Sequence, residues 1–162
     1  MKEKMMKEFK TFSQEETIEI GKALGRLLNT GDIVCINGDL GTGKTVFTNG
    51  IAKSLGIKEH ITSPTFTIVN EYSGRVPFYH FDVYRIADSE EMFEIGFEEY
   101  LYGEGIVVIE WADIIKDILP EEVIQVTIKK NLDLGIDARI IEIVFNGSKY
   151  RDYKSRLVVG DK

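Results

Sequence analysis

The sequence predicts an α/β fold built on a central, mostly parallel sheet with an antiparallel hairpin, and three observations carry that reading. Two short, wholly apolar runs, residues 33–36 and 106–109, have the composition of strands buried on both faces. Helix-like segments alternate with strand-like ones along the chain, as layered α/β domains require. Two further runs, 66–72 and 76–84, bracket Ser73-Gly74-Arg75 and read as a hairpin.

Each element has its own signal. Residues 9–12 read as a short first strand. Ser13 with Glu16 three residues on is a capping box, opening a helix through about residue 28 whose inner face offers Ile18, Ala23, Leu24 and Leu27. Thr30-Gly31-Asp32 breaks that helix before the first apolar run. Residues 38–43 form a loop, and 44–55 a helix ended by Gly56. After the hairpin, 88–94 and 97–102 are short helical pieces, the first with Asp88 and Glu91 at capping spacing. A helix over 112–118 stops at Pro120. Late strands over 123–129 and 139–145 complete the sheet. With no repeats or Pro/Ser-rich linkers, residues 1–162 read as one domain, with 146–162 a partly ordered tail.

The bulk numbers agree. A chain of 162 residues buries roughly 70% of its unfolded surface and needs no disulfide or structural metal. Its single cysteine, Cys35, lies in an apolar run, which reads as inert core and fits a reducing compartment. The opening MKEKMMKEFK mixes both charge signs and has no apolar signal-peptide stretch, and no membrane-length apolar run occurs, so the expected location is the cytoplasm. The net charge of −7 opposes stand-alone binding to a phosphate backbone. The exception is the tail, where Lys149, Arg151, Lys154, Arg156 and Lys162 outnumber Asp152 and Asp161. It reads as a solvated tail, with contact to RNA or an acidic partner as the alternative.

The chemistry begins at Gly38-Asp39-Leu40-Gly41-Thr42-Gly43-Lys44-Thr45, a Walker A pattern preceded by an apolar strand and followed by a helix. The glycines let backbone N–H groups approach phosphates with no Cβ in the way. The helix start, through Val46, presents unpaired N–H groups and the positive end of its dipole. Lys44 brings a point charge to the β- and γ-phosphates, and the Thr45 hydroxyl is a ligand for Mg²⁺. A loop of this kind calls for Mg-ATP or a related nucleotide, and for carboxylates to hold the metal and position water. Glu110, ending the apolar run 106–109, has the form of a Walker B acid at the carboxyl end of a parallel strand; an ordinary surface glutamate is the alternative.

The second acid comes from His80-Phe81-Asp82-Val83-Tyr84-Arg85. At period two, His80, Asp82 and Tyr84 share one face and Phe81 and Val83 the other. Asp82 is placed to complete a magnesium shell, and Arg85 to meet phosphate charge; a half-exposed strand with a satisfied histidine is the bland alternative. Ser63-Pro64-Thr65 reads as a switch-like loop sensing the γ-phosphate, or simply as a turn. Trp111, beside Glu110, is by itself a packing residue.

Taken together, GDLGTGKTVFTNGIAKSLGI, SPTFTIVNEY, FYHFDVYRI and EEMFEIGFEEYLYGEGIVVIEWAD resemble, in order and approximate spacing, the bacterial TsaE (YjeE) family. The resemblance runs from about residue 12 to residue 145, and the combination of SPTFT, HxDxYR and IEW is its specific part. It implies a P-loop NTPase-like three-layer fold that binds and slowly hydrolyses ATP with Mg²⁺. It also implies action with the TsaD and TsaB proteins in forming threonylcarbamoyladenosine in tRNA, the tRNA being touched only indirectly through that complex and no membrane being involved. By similarity, Thr45, Asp82 and Glu110 match the magnesium and water-positioning residues. Lys44 joins the two acids as catalytic, Thr65 belongs to the switch loop, and Trp111 is the aromatic near the nucleotide. Thr42 and Val46 depart from the commoner Ala and Thr or Ser, without removing a phosphate ligand.

Two other readings compete. Small-molecule P-loop kinases usually start close to their phosphate loop and carry an arginine-bearing lid. Here 37 residues precede Gly38, and Arg26, Arg75 and Arg85 are the only arginines before the late strands. A GTP-type switch protein would carry an Asn-Lys-x-Asp sequence to read guanine, and none occurs.

Overall fold

The computed structural model describes residues 5–64 and 67–159. Its elements are β1 (Met6–Thr11), α1 (Gln14–Gly25), β2 (Ile33–Asn37), α2 (Lys44–Ser54), β3 (Val69–Ser73), β4 (Pro77–Asp82), α3 (Glu90–Glu94), α4 (Phe97–Leu101), β5 (Ile106–Glu110), a 3₁₀ segment (Ala112–Ile118), β6 (Ile124–Lys130), β7 (Arg139–Phe145), a 3₁₀ turn (Ser148–Tyr150) and α5 (Tyr153–Arg156). The strands form one sheet in the order β1-β7-β6-β2-β5-β4-β3. β6, β2, β5 and β4 are parallel neighbours, while β7 and β3 run against them. β1 reverses again, so five of the seven strands share one direction.

Both faces of the sheet are covered, giving three layers. Val34, Ile36 and Val108 pack with α1, α2 and the C-terminal segment on one side. Ile33, Cys35 and Ile109 pack with α3, α4 and the 3₁₀ segment on the other. Adjacent residues of β2 and β5 therefore enter opposite cores, which is why these strands are wholly apolar. Burial pushes the Cys35 thiol up to about 12, helped by the Asp113 charge, so it is an inert core group.

The Ser13 capping box forms: Glu16 N–H donates to Ser13 Oγ at 3.1 Å, and Phe12 N–H to Glu16 Oε1 at 3.1 Å. The helix regular in α form ends at Gly25 rather than near residue 28. The chain continues through tighter turns, Leu27 N–H to Leu24 O and Leu28 N–H to Gly25 O. The glycines explain how closely α1 and α2 pack. A Cβ on Gly21 would lie 2.4 Å from Phe47 O, and one on Gly50 2.3 Å from Ile18 O. The two helices thus touch backbone to backbone, which fixes α2, and the loop before it, over the sheet.

The expected helix over 112–118 is a 3₁₀ segment with a kink at Ile115. The hairpin strands are shorter than read, and Phe66, the expected start of the first, lies outside the described residues. The basic segment after residue 145 is not merely solvated. Tyr150, Tyr153 and Leu157 are buried in the α1/α2 core, while Lys149, Arg151 and Arg156 stay exposed. Among the described residues no helix is long and apolar enough to cross a membrane.

Candidate functional site

β2, β5 and β4 end side by side at one pole of the sheet, and their last residues converge on the start of α2. In register, Glu110 lies between Ile36 and Asp82. The loop from Gly38 to Gly43 leaves β2 and turns into α2 there. Gly43, the residue capping α2, has φ +109 and offers no side chain to the first-turn N–H groups. Gly41 has φ +77; both conformations favour glycine. Gly38 is required for another reason, since its Cβ would fall 2.5 Å from Ile128 O. The free helix start and glycine-turned loop form an anion cradle.

Lys44 bends back across this loop and donates to Gly38 O (2.8 Å) and Asp39 O (2.9 Å). Its ammonium lies 4.0 Å from the centre of the Trp111 ring. Desolvation lowers its pKa, opposed by the charges of Glu110, Asp82 and Asp39. Trp111 is the only non-glycine with positive φ among the described residues, at +64. Its N–H is held by Ile36 O at 2.9 Å, and its ring meets Tyr84 at 4.6 Å. The strand-end geometry turns the indole over the lysine.

Glu110 is the last residue of β5 and is buried, with 2% of its surface exposed. That rules out the ordinary surface glutamate. The Thr45 hydroxyl donates to Glu110, 3.0 and 3.1 Å from its two oxygens, and is itself 2.9 Å from Ser63 Oγ. Thr48 Oγ1 approaches Glu110 Oε2 at 3.3 Å, and His80 Nε2 at 2.5 Å. The histidine is completely buried; it braces the acid from below instead of filling out a half-exposed strand. Asp82, half-buried, accepts from Tyr84 N–H at 3.0 Å. Its pKa is raised, first by burial and then by the Glu110 charge, against lowering by the Tyr84 N–H, His80 and Ser63. One open cleft of about 350 Å³ joins Gly41, Gly43, Lys44, Thr45, Val46, Ser63, Asp82, Glu110 and Trp111, with Leu40 at its rim.

Other expected members are placed differently. Asp39 is exposed at the loop's far side, where a second cleft of about 580 Å³ runs past Gly38, Thr42, Trp111, Asp113 and Lys129. Arg85, past the end of β4, lines a third cleft with Ile68 and Glu91, which adjoins the first through Ser63, Asp82 and Tyr84 but includes no residue of the loop 38–43. Thr65 lies outside the described residues.

Three residues that the sequence did not single out belong here: Thr48, described above, Asn49 and Arg139. Asn49 on α2 donates to Ile61 O and accepts from Ile61 N–H, both at 2.8 Å, pinning the segment that leads to Ser63. Arg139, the first residue of β7, donates to Thr42 O at 2.8 Å and Gly41 O at 3.3 Å. Only polar residues at buried positions of α2 could have flagged Thr48 and Asn49; nothing local flags Arg139.

The donor set suits a hard cation: a hydroxyl and two carboxylates, with no thiol. Among the described residues no group of three or more Cys, His, Asp or Glu side chains forms a complete metal cage. An ion here would therefore draw the rest of its shell from phosphate oxygens and water, as magnesium at nucleotide sites does.

Residues 11–139 match the family described as threonylcarbamoyl adenosine biosynthesis protein TsaE. The Bacillus subtilis tRNA threonylcarbamoyladenosine biosynthesis protein TsaE is 43% identical over 143 residues, covering 88% of this chain and 87% of that protein. The protein of the same name from Treponema pallidum is 45% identical over 117 residues, covering 72% and 87%. The crystal structure of Bacillus subtilis YdiB superposes with a TM-score of 0.79 at 37% identity, covering 96% of this chain and 98% of that one.

Proposed function

The chain belongs to the TsaE family, and from that premise we propose that it is a Mg-dependent ATP-binding protein and slow ATPase serving threonylcarbamoyladenosine formation in tRNA. The observation that carries the ATPase reading is the relay Ser63–Thr45–Glu110 with Asp82 beside it, at the open end of a glycine-turned loop. A loop that merely bound phosphate would not need two carboxylates in a cleft that also receives an anion.

The residues divide the work. Backbone N–H groups at the start of α2 and the Lys44 ammonium neutralise the phosphates. To do so Lys44 exchanges its two carbonyl partners for phosphate oxygens. Thr45, Asp82 and Glu110 would hold Mg²⁺, directly or through its waters, and the ion would supply charge neutralisation between the β- and γ-phosphates. Glu110, fixed by Thr48 and His80, keeps its charge aimed at Thr45 and orients water there. Trp111 and the cleft past Asp113 and Lys129 offer an aromatic wall for the rest of the nucleotide. The proposed partners are TsaD and TsaB, and tRNA is reached only through them, in keeping with the net charge of −7.

Lys44→Ala tests both halves at once. Calorimetric titration should show Mg-ATP binding lost, with the apo melting temperature nearly unchanged. A reconstitution of tRNA modification with TsaD, TsaB and the variant should yield no product. Retained micromolar affinity in the variant sinks the phosphate-loop assignment. Full modification without this chain sinks the biosynthetic role.

A further inference from the structure

We infer that Arg139 is a positioning residue for the phosphate loop: a guanidinium borne by the sheet that sets the direction of the loop's N–H groups. The inference rests on the nucleotide-binding reading above and adds a residue to it. Arg139 opens β7, paired in register with Thr11 of β1 and Lys130 of β6, so its backbone is held on both sides. From there Nε donates to Thr42 O at 2.8 Å and Nη2 to Gly41 O at 3.3 Å. The remaining nitrogen, Nη1, donates to Ile136 O and Ala138 O at 3.1 and 2.9 Å, which fixes the fork itself.

The consequence follows from peptide geometry. No described peptide bond is cis, and in a planar trans peptide the C=O of one residue and the N–H of the next point in opposite directions. Holding the Thr42 carbonyl outward on Arg139 therefore turns the Gly43 N–H the other way, toward the start of α2. The Gly41 carbonyl does the same for the Thr42 N–H, which in this structure closes a turn onto Asp39 O at 3.3 Å. Glycines at 41 and 43 make the close approach possible, but they also leave these peptide planes free to rotate. The loop thus needs an external fixture. Lys44 does not serve, because it must leave its loop carbonyls to meet phosphate. Arg139 reaches the loop from the opposite side, and the cleft it lines there, with Gly41, Gly43 and Asp137, holds only about 80 Å³.

A role confined to knitting the β6–β7 connection would cost stability alone. A positioning role costs nucleotide affinity in a protein that remains folded. Because N–H groups of the cradle meet ground state and transition state alike, the loss falls on KM more than on kcat. The experiment compares wild type, Arg139→Lys and Arg139→Ala for Mg-ATP affinity by calorimetry, for KM and kcat, and for apo melting temperature. Arg139→Ala should weaken Mg-ATP binding about tenfold or more, raise KM in proportion and change kcat less than threefold. Arg139→Lys, with one donor able to reach Thr42 O, should recover part of the affinity. An amide spectrum should show the Gly43 and Thr42 N–H signals displaced in the alanine variant. Unchanged affinity in Arg139→Ala overturns the inference, as does a fall in affinity no larger than the fraction unfolded. Failure of the wild type to bind Mg-ATP would instead overturn the nucleotide reading.

Discussion

Two buried carboxylates sit at opposite poles of the sheet, and they differ in almost everything except burial. Asp32 precedes β2 and is fully buried. Tyr153 OH donates to its Oδ2 at 2.7 Å and Asn29 N–H at 2.9 Å, while Lys149 Nζ lies 3.2 Å from Oδ1. The lysine contact is one of charge more than direction, since Oδ1 lacks a well-aligned hydrogen bond. All of these partners come from the chain itself, chiefly its last segment, and together they clasp that segment to the sheet. Glu110, beside the other end of β2, is equally enclosed, but its partners Thr45, Thr48 and His80 sit around a cleft that holds a lysine and a second acid. Burial alone therefore does not mark function. What separates the two is whether the cluster is closed on itself or open to a place where a ligand's charge can enter.

The largest expected effect tests the closed pole. Asp32→Ala leaves the Tyr153 hydroxyl and Asn29 N–H without an acceptor and Lys149 without its counter-charge. Leaving these two donors without a partner costs about 3 kcal/mol, the exposed Lys149 adding little, or roughly 6–12 °C in melting temperature for a domain of this size. Mg-ATP affinity of the folded fraction should be unchanged. A loss of affinity at full folding would show that the two poles are coupled, and the contrast between them would fail.

The open pole should behave the other way. Glu110→Gln keeps the shape, and the Thr45 and Thr48 hydroxyls can turn to accept from the new amide. Removal of the charge should cost about 10²-fold in turnover, or ~3 kcal/mol of transition-state stabilisation. The drop in melting temperature should be well below that of Asp32→Ala. Single-turnover hydrolysis and thermal melts on the same preparation measure both; wild-type turnover would return Glu110 to a purely structural role.

The sequence disclosed these two poles unequally, for a physical reason. The loop from Gly38 to Thr45 is local: its glycines, lysine and hydroxyl act through their own backbone, and the flanking strand and helix are periodic over short windows. The acid ending β5 and the shared face of His80 and Asp82 were legible from strand period alone. What the sequence could not disclose is pairing at a distance. Asp32 finds Tyr153, Thr42 finds Arg139, and His80 finds Glu110 only through the sheet order, which sets β7 and the C-terminal segment far from where chain order suggests. The basic residues after 145 read as a solvated tail because their charges dominate the composition. Their fold is decided by Tyr150, Tyr153 and Leu157, which bury the spine and leave the charges outside. The backbone contact of Gly21 and Gly50 was likewise invisible, since each glycine alone only weakens a helix.

The smallest effect is the most discriminating, because it asks whether the open pole costs stability. Asp82 shares that pole with Glu110, and burial together with the Glu110 charge holds its pKa above the ordinary carboxylate value. A carboxyl whose folded pKa exceeds its unfolded one binds its proton more tightly in the folded state. The stability it contributes is complete below the unfolded pKa and is lost as pH rises through the folded one. At neutral pH the ionised Asp82 is therefore a cost to the apo protein, screened in part by its exposure. Asp82→Asn retains the oxygen that accepts from Tyr84 N–H and removes the charge. The variant should melt slightly above wild type at pH 7, with the gap closing as pH falls through the carboxylate range, while its ATP turnover drops. Melting curves from pH 4 to pH 8 without nucleotide check the sign. A wild type that is the more stable protein at neutral pH would mean that Asp82, like Asp32, is there to hold the fold.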